Sequence, residues 1–104
     1  ETIAYLEYEK AFNLYDQART SEDLNLYRQA AEMFMDVAQN NPYTEAEIGS
    51  YSNGGMCYEA IEEWQNAVDC YDMVIQRFEE GSQVTAEAHS FAMAHKKYIV
   101  ANKI

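Results

Sequence analysis

Residues 27–37 read YRQAAEMFMDV, and residues 64–74 read WQNAVDCYDMV. With an offset of 37 residues, Tyr27, Ala30, Phe34 and Val37 coincide with Trp64, Ala67, Tyr71 and Val74. In both stretches the apolar residues recur every three or four positions, the period of an amphipathic helix. A helical segment that returns at a fixed interval points to stacked units, because one such unit cannot bury its apolar face alone. Chains of this kind present long surfaces to partners far more often than they catalyse reactions.

Five helices follow from the pattern around these two stretches. The first runs from Thr2 to Arg19, and Ile3, Leu6, Ala11, Phe12, Leu14, Tyr15 and Ala18 give it a broad apolar face. Ser21 is expected to cap the second helix, which Asn40, Asn41 and Pro42 terminate. Thr44, with Glu47 three residues on, reads as a capping box that opens a third helix over residues 45–60. The fourth covers residues 62–79, and Gly81 closes it where a left-handed residue is wanted. The fifth covers residues 85–101. No Gly or Pro marks the break between the third and fourth helices. A continuous helix over residues 45–79 would not keep its apolar positions on one face, so the repeat argues for a break.

The spacing resembles a tetratricopeptide repeat, a 34-residue helix-turn-helix unit. Residues 48–81 fill one unit, with Tyr51, Gly54, Gly55, Tyr58, Trp64, Ala67, Tyr71 and Val74 at the positions the family gives to aromatic and small residues. Residues 5–42 read as an earlier unit, in which Phe12 replaces the usual Gly and roughly six extra residues between Asp16 and Leu26 lengthen the connection between its helices. Residues 85–104 supply a terminal covering helix. The resemblance implies an all-α fold, a right-handed α-α superhelix of about two helix pairs plus a C-terminal capping helix, forming a single domain over residues 1–104. The 37-residue period and the linkers over residues 41–47 and 80–88 are similar to repeats of the bacterial outer-membrane assembly lipoprotein and Tol-Pal coordinating type, which implies an adaptor of the periplasm or cell envelope.

The family takes ligands in the concave groove made by the first helices of successive units. Carried over, the groove-facing positions are Leu6, Glu9, Asn13, Asp16 and Gln17; Gly49, Ser52, Met56 and Glu59; and Ala86, His89, Met93, Lys96 and Lys97. The implied partner is a peptide or protein segment with apolar side chains and charges of both signs, since Met56 and Met93 adapt to irregular surfaces. Glu9 replaces the Lys that family members binding a C-terminal carboxylate use, so that activity is not implied. Gly49 has no packing reason in the repeat and reads as room for a ligand backbone.

Charge narrows the partner class further. The chain carries −11 overall; residues 1–80 hold 17 of its 18 acidic residues against four basic ones, whereas residues 81–104 hold Glu87 against three lysines. Nucleic acid is excluded on this ground, because the phosphate backbone is repelled where it normally supplies affinity. No apolar run is long enough to span a bilayer, so no direct membrane insertion is expected. Cys57 and Cys70, 13 residues apart, match no zinc or thioredoxin spacing and read as buried thiols, with a disulfide between adjacent helices left open. His89 and His95 lie about 120° apart around one helix, a poor arrangement for a shared metal. Neither a nucleophile nor a Gly-rich phosphate loop organises the carboxylates, so no catalytic residue, metal or cofactor is expected. The function that follows is a noncatalytic interaction module acting as adaptor or scaffold. Its alternatives are a scaffold that self-assembles through its terminal helices, or the docking domain of a larger enzyme.

Overall fold

In the computed structural model, which describes residues 2–104, helix α1 spans Thr2–Ser21, α2 Leu24–Asn40, α3 Glu45–Ala60, α4 Trp64–Glu79 and α5 Ala86–Asn102. All regular structure among the described residues is helical. The short connections turn each helix back onto the one before it. In addition α1 packs on α3, and α3 touches α5. The odd-numbered helices therefore lie side by side, and α2 and α4 cover them from one side. The principal extents of 38 × 37 × 19 Å fit this arrangement, since 19 Å is close to the depth of two helix layers.

Helix ends explain where the chain turns. Asp23 caps α2, its carboxylate accepting from the amides of Asn25 and Leu26. Ser21, expected to hold that position, instead ends α1 and donates its hydroxyl to the Gln17 carbonyl. The extra residues of the first unit are thus helical, and the connection is only Glu22 and Asp23. Glu22 has φ +54° and Glu62 has φ +61°. At both, the residue after a helix bends left-handed while the next amide reaches back to the last turn: Asp23 N to Ala18 O at 3.3 Å, and Glu63 N to Tyr58 O at 2.9 Å. Gly81, with φ +80°, closes α4 in the same manner, as its sequence position indicated. Glu62 was expected inside the fourth helix; its left-handed backbone is what separates α3 from α4.

The core has two clusters that share α3. Ala11, Tyr15, Ala30, Ala31, Phe34 and Cys57 join α1, α2 and α3. Ile48, Ala67, Val68, Tyr71, Val74, Ala92 and Ile99 join α3, α4 and α5. Because α3 is packed by all four other helices, it carries small residues on several sides. The ring of Tyr71 fills the space beside Gly55, and Phe34 with Met35 fills that beside Gly54. Both thiols are free and buried, Cys57 inside the first cluster and Cys70 donating to the Met35 sulfur at 3.8 Å.

The linker between the two hairpins is pinned by charge. Thr44 accepts from the Glu47 amide at 3.2 Å, while the Glu47 carboxylate accepts from the Tyr43 amide at 3.0 Å. The capping box expected here is present in this shifted form. Glu47 also receives two hydrogen bonds from Arg77 of α4, and the Arg77 guanidinium lies 4.1 Å from the centre of the Tyr43 ring.

Candidate functional site

The candidate groove residues fall on three distinct surfaces. On α1, Leu6, Glu9, Asn13 and Gln17 are exposed, and Asp16 pairs with Arg19 on the same helix. None of these five faces the core, which α1 meets through Ala4, Ala11, Tyr15 and Ala18.

On α3, Gly49, Ser52, Met56 and Glu59 are all partly exposed along the open side of the helix. The sulfur of Met56 accepts from the Tyr15 hydroxyl at 3.7 Å, which ties the residue to α1. Gly49 also has a packing partner: a methyl group there would stand 3.0 Å from Cε1 and the hydroxyl of Tyr8. Its missing side chain leaves room for the Tyr8 ring, whose hydroxyl accepts from Asn53 at 2.8 Å. The expectation that Gly49 lacks a packing reason is therefore corrected, because the space beside it is filled by α1. The sequence signal for this contact is a glycine inside one helix with an aromatic residue, Tyr8, on the helix that packs against it.

Glu59 anchors a small polar cluster between three helices. Its carboxylate accepts from the hydroxyl of Tyr71 on α4 and lies 2.6 Å from Nδ1 of His95 on α5. The Tyr71 hydroxyl is held well above the ordinary phenol range, first by burial and then by its hydrogen bond to Glu59. A depression of about 370 Å³ opens beside this cluster, lined by Glu59, Ala94, His95 and Tyr98. His95, Ala94 and Tyr98 are not among the residues expected from sequence. In the sequence His95 stands out only beside His89, as a poor metal pair, and only the three-dimensional approach of α5 to α3 joins it to Glu59.

On α5 the expected residues form a surface of their own. His89 stacks on Phe78 of α4 with ring centres 3.8 Å apart, and Lys96 pairs with Asp72 of α4 at 2.6 Å. Both belong to the α4 side of the helix, whereas Glu59 meets α5 through His95. His89, Met93, Lys96 and Lys97, with Ser90, Ala94, Val100 and Ala101, line an open depression of about 740 Å³. Ala86 is exposed at the start of the helix. The α3 and α5 sets therefore do not share one floor; Ala94 borders both depressions.

No family model, curated protein or solved structure matches this chain. The chemistry of the surfaces is accordingly what bears on function. Among the described residues, no three His, Cys, Asp or Glu side chains gather where they could share a metal ion. No helix among them is long and apolar enough to cross a membrane. Burial pushes the thiols of Cys57 and Cys70 up to about 12, so neither has the thiolate character of a nucleophile at neutral pH. What the surfaces do offer is exposed apolar side chains framed by charge: Leu6 beside Glu9 on α1, and Met93 and Val100 beside Lys97 on α5.

Proposed function

We propose that this chain is a noncatalytic protein-interaction module of tetratricopeptide-repeat type, with its helix pairs wound as a right-handed superhelix and a protein segment bound on the open sides of α1, α3 and α5. The observation that carries this reading is the side-by-side contact of the odd-numbered helices. It keeps the partly exposed sides of α1, α3 and α5 out of the core, on surfaces of which those of α3 and α5 border each other at Ala94. Packing the same helices as a closed bundle would consume those sides in core. The module serves as an adaptor or scaffold, because its surface offers apolar and charged side chains for recognition.

The test is a crosslinked pulldown from native extract with the wild-type chain, Lys97→Glu and Ser52→Glu. Both substitutions lie outside the buried clusters, so folding is retained. Specific recovery of a protein by the wild type and its loss with either variant supports the reading. Identical recoveries with all three baits contradict it.

End-to-end self-assembly is a second reading with its own observation. Ile3 is 71% and Leu6 52% exposed on α1, and Met93 is 48% and Val100 50% exposed on α5, so the two outer helices both present apolar side chains. Sedimentation velocity over a wide concentration range separates the two readings.

A further inference from the structure

We infer that the Met93 face of α5 docks an amphipathic helix that carries acidic flanks and a small residue opposite Met93. This deepens the interaction-module reading and rests on it. The argument starts from α3, which takes its two covering helices on adjacent residues: α2 lies over Gly54 and α4, through Tyr71, lies over Gly55. Consecutive residues are 100° apart around a helix, so one step in sequence turns from one neighbour to the next. On α5, Ala92 is fully buried in the cluster that holds Tyr71 and Val74 of α4. Met93, the next residue, is 48% exposed. By side of contact, one residue past the 37-residue register that pairs it with Met56, Met93 thus stands on α5 where Gly55 stands on α3, on the side that a further helix covers on α3.

The side chains there specify what fits. Gly55 leaves a space that the Tyr71 ring fills, whereas Met93 fills that space itself, so the occupant needs Ala or Gly where α4 has Tyr71. The flanks are basic. Lys96 is engaged by Asp72, and Lys97 is exposed and makes no ion pair among the described residues. Carboxylates on the incoming helix complement them. An anionic membrane or nucleic acid would meet the same lysines, but the chain's charge of −11 repels an extended phosphate surface. Two α5 faces brought together would oppose lysine to lysine, which disfavours a symmetric pair of copies through this face.

The probe is a peptide of residues 62–81 with Tyr71→Ala, since α4 already covers the corresponding face of α3 and carries Asp69, Asp72 and Glu79. It is titrated, under reducing conditions, into the isotope-labelled chain while backbone amide resonances are followed. The expected result is shifts confined to residues 89–101. Binding is expected to be about tenfold weaker for the peptide that keeps Tyr71, for its Asp69→Lys/Asp72→Lys counterpart, and for Lys97→Glu protein. Shifts on α1 and α3 with α5 silent overturn this site but leave the module reading standing. So does the absence of binding by every peptide while Lys97→Glu still recovers the partner of the wild type. Equal affinity of acidic and charge-reversed peptides overturns the acidic occupant. Concentration-dependent association of the chain alone, abolished by Met93→Glu, assigns the face to a second copy and overturns the proposal.

Discussion

Arg77 of α4 grips both carboxylate oxygens of Glu47, thirty residues earlier in the chain, with Nε 2.9 Å from one and Nη2 2.8 Å from the other. Glu47 is 1% and Arg77 7% exposed, and hydrogen bonding to Glu47 raises the already high pKa of the guanidinium. The pair fixes the start of α3 against the end of α4, and through the Tyr43 amide it also fixes the linker between the hairpins. It is a charged clamp at the junction of the two repeated units.

Removing one partner of this clamp leaves a buried charge alone. Arg77→Met is expected to cost about 3–5 kcal/mol. The double variant Glu47→Gln/Arg77→Met keeps an acceptor for the Tyr43 amide and removes both charges, so it should be more stable than Arg77→Met. Urea denaturation of the two variants and the wild type measures the difference. A double variant less stable than Arg77→Met would contradict the account.

Two adjacent glycines should respond oppositely to alanine. Both gain roughly 1 kcal/mol from helix propensity. At Gly54 the new methyl meets the flexible end of Met35, which can swing aside, so the net effect is stabilising or neutral. At Gly55 it stands 2.6 Å from Cε1 of the fully buried Tyr71 ring, and overpacking there costs about 1–3 kcal/mol. Thermal unfolding of Gly54→Ala and Gly55→Ala tests the contrast, and equal midpoints would refute it.

Glu62 occupies, at φ +61°, a backbone conformation that glycine adopts without penalty. Glu62→Gly should stabilise the chain by about 1 kcal/mol, in contrast to the usual loss when glycine enters a helix. A decrease in the urea midpoint would show that the left-handed turn between α3 and α4 is not present in solution.

Alkaline pH should weaken the fold. Burial raises the pKa of Cys57 and Cys70 from 9.0 to about 12, and it raises Tyr8, Tyr15, Tyr58 and Tyr71 in the same direction. Below about pH 9 the thiols are protonated in both folded and unfolded chains, and stability is intact. Between about pH 9 and 12 the unfolded chain releases protons that the folded chain retains, so unfolding becomes progressively easier. Urea midpoints measured across this range should fall, and thiol labelling at about pH 8 should proceed only as fast as the chain opens. Rapid labelling of the folded chain would contradict the burial of both thiols.

Much of the architecture is legible in the sequence because it rests on local periodicity. The apolar rhythm of residues 27–37 and 64–74 marks α2 and α4, Thr44 and Gly81 mark helix ends, and five helices lie close to their expected spans. The turn at Glu62 was not legible from composition, since tertiary packing imposes a left-handed backbone on a residue that favours helix. The clamp between Arg77 and Glu47 was half visible: Glu47 carried a capping signal, but nothing local announces a partner thirty residues away. The same limit applies to the surface. Repeat register puts Met93 and Lys97 in one groove with Glu59, yet the packing of α5 gives them a depression of their own and brings His95 to Glu59.

Hydrogen exchange read by mass spectrometry, with and without the protein recovered in the pulldown, tests the central claim most directly. The account predicts added protection on the exposed sides of α1, α3 or α5, with residues 89–101 foremost, and no change in α2. Protection appearing on α2 and α4 while the odd-numbered helices remain unchanged would contradict it.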